Sequence, residues 1–333
     1  MTQKIKVIQF GIGSMACKIT QYLIKREIFE IVGAIDIDPQ KIGKDIGELA
    51  GFSERLNVKI SNEPDEVLSK NADIVILTTS SNLTAIKEQI MTCFSHGKNV
   101  ISTCEELCYP WIKNPNIADE IDRTARGVDV SVLGTGANPG FLMDFLPMVM
   151  TGICQEVNSI KVERVQNAAY RRKSFQGKIG AGLTFEEFER RIVAKSIGQV
   201  GLTESIHLIS ANLGWQLDNT QDFIRPVTTD RPVNAGDLSI EAGKLIGIEQ
   251  TGLGYIEGRE VIHLVFKATI GERNPYDKIF IDGTPVIDSF IRGGVDGDSA
   301  TAAIIVNAIL QVIGAPPGLR TMADMNPVSF FKR

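Results

Sequence analysis

Histidine is scarce in this 333-residue chain, which has only His96, His207 and His263. Cysteine is sparse as well: Cys17, Cys93, Cys104, Cys108 and Cys154 form no CxxC pair. Zinc centres draw on Cys and His at close spacings. Cys104 and Cys108 lie four apart with no evident histidine partners, so no metal site is expected. An odd number of thiols without a framework pattern is expected to stay reduced, as in the cytoplasm. No run reaches the roughly 18 apolar residues that a membrane span needs. The opening MTQKIKVIQFGIG passes into a strand-like run with no signal-peptide pattern. A basic excess is also missing: 35 Lys and Arg face 40 Asp and Glu, a formal charge of −5. Nucleic-acid binding, which leaves a basic footprint, is therefore not expected. Neither repeats nor low-complexity tracts interrupt the chain.

The composition is that of an ordinary globular protein, 43% hydrophobic and 23% charged, and the length suits two domains. Strand and helix patterns alternate through the first 135 residues. KIKVIQF (4–10), EIVGAID (30–36), DIVILT (73–78), NVIST (99–103) and DVSVLGT (129–135) read as strands, with a short one at 57–60. Helical spacing marks 15–27, 63–68 (capped by Asn62 or Ser61), 82–96 and 115–126. Such alternation predicts a doubly wound parallel sheet, a Rossmann fold.

Beyond residue 150 the rhythm changes. SIKVERVQ (159–166), VIHLVFKATI (261–270) and KIFIDG (278–283) are strand candidates. Helices are expected over 184–196, with Thr184 and Glu187 as a capping box, and over 203–213. This predicts an α+β substrate and dimerisation domain with an open sheet, mixed or antiparallel. SATAAIIVNAILQVI (299–313), after Asp298 as cap, is apolar nearly all round and should be buried. The expected boundaries are 1–137 for the dinucleotide domain and 138–296 for the α+β domain. Residues 297–333 should form a helix and tail returning to the first.

Gly11-Ile-Gly13-Ser14-Met15-Ala16 fits G-x-G-x-x-A after a strand and before a helix. Gly11 permits the turn, Gly13 lets backbone approach a pyrophosphate, and the helix N-terminus offers N–H groups to it. Ser14 and Met15 complete this turn. Asp36, 20 residues after Ala16, is the acid expected at the adenosine ribose. No arginine follows; the next residues are Ile37, Asp38, Pro39, Gln40 and Lys41. NAD is thus favoured, with NADP possible. Thr79, Ser80 and Thr103 end strands where ligands collect and are further cofactor candidates.

NVIST runs into Cys104-Glu105-Glu106. Neighbours in extended chain face opposite sides, so one carboxylate should face the cleft; Glu105 is favoured and Glu106 held in reserve. Both could instead be solvated loop acids. GTGANPGF (134–141) is a close-approach loop and a possible domain hinge, in which Asn138 could bind substrate or carboxamide. Arg164, Arg171 and Arg172 could fork a substrate carboxylate or form a surface patch. His263, amid an apolar strand, reads by itself as a core histidine.

STCEELCYPW (102–111), GTGANPGFLMD (134–144), AAYRRKSFQGKIGAGLTFEEF (168–188), GLTESIHLI (201–209), GVDGDSATAAIIVNAI (294–309) and APPGL (315–319) resemble the 2,4-diaminopentanoate dehydrogenase family. The EE and NPGF segments are similar to those of native amine dehydrogenases. The resemblance implies a dihydrodipicolinate reductase-like fold, NAD or NADP, and a homodimer. It implies oxidative deamination of 2,4-diaminopentanoate to 2-amino-4-oxopentanoate and ammonia, or reductive amination of a ketone. It also implies an amine-handling glutamate in the EE pair and pocket roles for Arg164, His263 and the Tyr170-Arg171-Arg172 segment. The paired histidines of dihydrodipicolinate reductase are absent.

Chemically, an ammonium must lose a proton before its carbon can release hydride, and a sheltered carboxylate can take that proton. Two rival readings remain at this point. One is a semialdehyde or alcohol oxidoreductase related to homoserine dehydrogenase, which would want a lysine or tyrosine donor. The other is a non-catalytic NAD sensor.

Overall fold

The structure is a computed structural model, and it describes residues 4–235 and 238–332. The chain divides into two compact units. The first comprises residues 1–141 and 297–333, the second 142–296.

In the first unit β1 (Ile5–Phe10) leads through a glycine turn into α1 (Ser14–Ile24). β2 (Phe29–Ile35), α2 (Ile46–Leu49), β3 (Ile60–Ser61), α3 (Pro64–Leu68) and β4 (Ile74–Leu77) follow. Next come α4 (Leu83–Ser95), β5 (Asn99–Ser102), α5 (Pro115–Gly127) and β6 (Ser131–Gly134). The expected cap of α3 is corrected. Glu63 occupies the cap position without a side-chain bond, while Ser61 Oγ instead accepts the Glu63 N–H.

The second unit begins with α6 (Phe145–Met150) and the long β7 (Glu156–Asn167). α7 (Lys173–Lys178), α8 (Phe185–Val193) and α9 (Leu202–Asn212) come next. The Thr184–Glu187 capping box opens α8 in both directions. The strands are β8 (Asn219–Thr228), the short pair β9 (Val233–Ala235) and β10 (Leu238–Ile240), β11 (Leu245–Ile256), β12 (Arg259–Thr269), β13 (Tyr276–Thr284) and β14 (Ile287–Arg292). Five of them and β7 form one sheet in the order β14-β13-β7-β12-β11-β8. The sheet is mixed, because β7 and β12 pair in parallel while its other neighbours are antiparallel.

The chain then returns to the first unit through α10 (Gly297–Ile313) and β15 (Gly318–Arg320). Asp298 lies in the first turn of α10 rather than at its cap. The first-unit sheet is parallel, ordered β15-β6-β5-β4-β1-β2-β3. α1 and α10 pack together on one side of it. Apolar residues of α3, α4 and α5 (Leu68, Ile90, Phe94 and Ile121) close a core on the other. β1, β4 and β5 are buried on both faces, which explains their near-continuous apolar sequences. All their carboxyl ends point to one edge, the place where such sheets bind ligands.

Candidate functional site

The glycine turn sits at that edge. Gly11 has φ +90°, and a Cβ there would lie 2.6 Å from Thr79 Cγ2. Only glycine meets both conditions. A Cβ on Gly13 would meet nothing within 4 Å, so the backbone here borders open space. Gly13 is the N-cap of α1 and no side chain caps that end. Its first-turn N–H groups therefore point to where a pyrophosphate would lie. Ala16 is buried against the sheet. An uncapped helix end beside an open glycine is what a dinucleotide phosphate requires, and the residues present fit that cofactor.

Asp36 stands directly after β2 and is 8% exposed. Its Oδ2 accepts the Ile12 N–H at 2.6 Å and lies 3.0 Å from Lys41 Nζ; its Oδ1 accepts the Asp38 N–H at 2.9 Å. Burial alone would raise this carboxyl. The Asp38 N–H, Lys41 and the Ile12 N–H outweigh it and hold Asp36 below the ordinary carboxylate value. The acid thus ties the glycine turn to the loop after β2. Thr79 Oγ1 donates to Gln89 of α4 and Ser80 Oγ accepts the Asn82 N–H in the turn before it, so both hydroxyls have partners. Thr103 continues the ladder through its N–H to Leu77 O. Ser14 is exposed and Met15 half-buried at the start of α1.

The two glutamates are not in extended chain. They open a 3-10 turn, Glu105–Cys108, so the alternation argument does not apply to them. Glu106 Oε2 accepts the N–H of Leu83, the first residue of α4, at 2.7 Å. Glu106 is therefore an anchor for a helix end, where a negative charge is favourable. Glu105 is half-buried on the same turn at the carboxyl edge.

The NPG loop also belongs to this edge. Ala137 N–H donates to Thr301 Oγ1 of α10. Gly140 has φ +117°, and a Cβ there would lie 2.4 Å from Gly136 N, so the loop is closed upon itself. The side-chain amide atoms of Asn138 are shielded from solvent within it.

In the second unit the candidates separate. Arg164 is 2% exposed, with Nη1 2.6 Å from Asp277 Oδ1 and Nη2 donating to Val295 O. Burial pushes this guanidinium below its ordinary value and the Asp277 charge opposes the shift. Arg164 is a strut between β7, β13 and the chain after β14. His263 stands half-buried on β12. It pairs with Lys161 across β12 and β7, whereas Arg164 pairs with Phe266. Strand periodicity of two puts His263 on the opposite face from Arg164. There its Nδ1 lies 2.7 Å from Glu260 Oε1. Tyr170 is 86% exposed. Arg171, by contrast, is held in place: Nη1 donates to Gln166 Oε1 at 2.8 Å and the guanidinium lies 4.1 Å over the Phe175 ring. Arg172 is the N-cap of α7.

The sequence reading passed over three groups. Asp277 and Gln166 showed no motif. Glu204, 2% exposed on α9, was hidden inside an amphipathic helix. Among the described residues no cluster of His, Cys, Asp or Glu is placed to hold a metal ion. No described helix is long and apolar enough to cross a membrane.

Comparison with known proteins decides between the dehydrogenase readings. The profile of the 2,4-diaminopentanoate dehydrogenase C-terminal domain matches residues 141–331. The chain belongs to the 2,4-diaminopentanoate dehydrogenase family. Residues 5–104 match the dihydrodipicolinate reductase N-terminal domain. A 2,4-diaminopentanoate dehydrogenase of Acetoanaerobium sticklandii is 34% identical, over 97% of this chain and 94% of the relative. An amine dehydrogenase of Streptomyces virginiae is 20% identical, over 96% of each chain. The amine dehydrogenase structure from Mycobacterium smegmatis superposes with a TM-score of 0.88 at 24% identity, covering 99% of this chain and 98% of that one. Membership of this family makes the protein an NAD(P)-dependent oxidoreductase.

Proposed function

We propose that the protein deaminates 2,4-diaminopentanoate at C4, giving 2-amino-4-oxopentanoate and ammonia, or runs the reverse reductive amination. The observation that carries this reading is the placement of the glutamate pair on the turn after β5, at the carboxyl edge of the sheet. Glu106 caps the α4 N-terminus, and Glu105, half-buried on the same turn at the carboxyl edge, is the favoured carboxylate for proton transfer. Full-length similarity to a 2,4-diaminopentanoate dehydrogenase supports the substrate class.

Glu105 takes a proton from the C4 ammonium and frees the nitrogen lone pair. The nicotinamide, when bound, supplies the acceptor for the C4 hydride. Glu105 releases that proton to solvent, takes one from the water that adds to the resulting C4 iminium, and returns it to the carbinolamine nitrogen, which departs as ammonia as the hydroxyl gives up its proton to form the ketone. General acid–base help of this kind is typically worth about 10² to 10⁴ in rate. The open backbone at Gly13 and the uncapped α1 N-terminus would hold the pyrophosphate, and Asp36 the adenosine ribose. Asn138 binds substrate or carboxamide. Arg171, fixed by Gln166 and Phe175, is the arginine suited to the substrate carboxylate.

We further propose a cytoplasmic homodimer. Its five free cysteines suit a reducing compartment. Phe290, stacked on Tyr276, stays exposed on the sheet face that carries His263. The decisive experiment is turnover of diamino acids and keto acids with both cofactors, with and without ammonium. Ammonium-independent ketone reduction would return the protein to the alcohol-oxidoreductase reading.

A further inference from the structure

The loop after β2 carries a cation where the acid of a dinucleotide site ordinarily stands alone. Pro39 follows Asp38 in a tight turn: Asp38 Oδ1 accepts the Gln40 N–H at 3.0 Å and Asp38 O accepts the Lys41 N–H at 2.9 Å. Proline at the second position of such a turn fixes its backbone. The turn folds Lys41 back over the end of β2. Its Nζ lies 3.0 Å from Asp36 Oδ2 and 3.5 Å from Asp38 Oδ2, with the side chain 28% exposed. Lys41 thus keeps a solvent-facing side while it compensates the acid that would meet the ribose.

A lone carboxylate at this position binds the two ribose hydroxyls and repels a 2′-phosphate. With Lys41 in contact with both acids, the Asp36–Asp38–Lys41 cluster carries one net negative charge instead of two. An ammonium is a compact point charge on a flexible stem, suited to moving between a carboxylate and a phosphate. We propose that Lys41 sets the cofactor specificity of this chain by engaging the 2′-phosphate of NADP(H), in exchange for its contact with Asp36. For NAD(H) the Lys41–Asp36 contact persists and Asp36 still accepts from the ribose. This rests on the assignment of Asp36 to the adenosine ribose in the reading above.

The test is direct binding, read by quenching of protein fluorescence, of NADH and NADPH to wild-type, Lys41→Met and Lys41→Arg proteins. Adenosine 5′-monophosphate and adenosine 2′,5′-bisphosphate serve as competitors that lack the nicotinamide. Lys41→Met is expected to weaken NADPH relative to NADH by about tenfold or more, the scale of one partly shielded ion pair. It should also flatten the salt dependence of NADPH binding and lower the affinity for the 2′,5′-bisphosphate relative to the monophosphate. Lys41→Arg should restore all three. Equal weakening of both dinucleotides by Lys41→Met would make Lys41 a brace for the loop and overturn the proposal. An unchanged ratio with both bound would also overturn it, while leaving the cofactor site intact. Failure of wild type to bind either dinucleotide would remove the cofactor reading itself, and this proposal with it.

Discussion

Glu106 Oε2 and the backbone nitrogen of Leu83 are 2.7 Å apart, so one member of an adjacent acidic pair closes the N-terminus of α4. A helix leaves its first N–H groups without intrahelical partners, and a carboxylate at that end satisfies both donor and dipole.

The consequence for catalysis is asymmetric. Glu105→Gln should lower deamination turnover by about 10² or more while NADH binding is kept. Glu106→Gln retains an amide oxygen that can accept from Leu83, and should cost far less turnover. Single-turnover kinetics on both variants, each first shown to bind NADH, would check this. Near-normal rates for Glu105→Gln across the pH range would leave the mechanism without its base.

The arginines should part in a similar way. Arg164→Met leaves Asp277 buried without its partner. Breaking a buried pair typically costs about 3–5 kcal/mol, so the loss should register as a lower denaturation midpoint. Arg171→Met should instead raise KM strongly for amino-acid substrates and little for simple ketones. If Arg171→Met affected both substrate types alike, its carboxylate role would fall.

Thiol reactivity offers a check on the core. Burial pushes Cys93 up to about 12 and Cys104 higher than its ordinary value as well. The thiolate is the reactive form, so neither should be alkylated in the native protein near pH 8. Cys154, only half-buried beside Pro285 O, should react first. Mass mapping after brief iodoacetamide treatment reads this directly. Early labelling of Cys104 would contradict the packing beneath the Glu105 turn.

An acid limit to stability follows from Asp45. Burial would raise its carboxyl, but the N–H groups of Leu56, Gly47 and Val58 outweigh this and place it below the ordinary value. A depressed folded-state pKa adds stability that is present above the unfolded value, about 3.9 for aspartate. That contribution is lost as pH falls through the lower folded value. Asp36 acts in the same direction. Asp45→Ala should therefore lower stability at neutral pH and flatten its fall below about pH 4. Denaturant midpoints across pH 2–7 would measure it, and parallel curves for variant and wild type would dismiss the effect.

The sequence by itself determined the first unit in outline, because its signals are local. Buried parallel strands appear as apolar runs, the glycine turn follows a strand and opens α1, and Asp36 stands at the end of β2. The capping box of α8 and the all-round apolar character of α10 are local too. Lys41 was equally visible, five residues after Asp36 and beyond a proline turn, although its contact with Asp36 was not. The roles of the charged side chains were decided only by tertiary structure. Arg164 and Asp277 are 113 residues apart in sequence, and nothing near either one marks it as half of a buried pair. His263 depended on which sheet face its strand register selected. Glu105 and Glu106 carry the same group on consecutive residues, and the partner of Glu106, the N-terminus of α4, lies 23 residues away in sequence. A carboxylate or guanidinium is defined by the partner that satisfies it, and here the fold chose the partners.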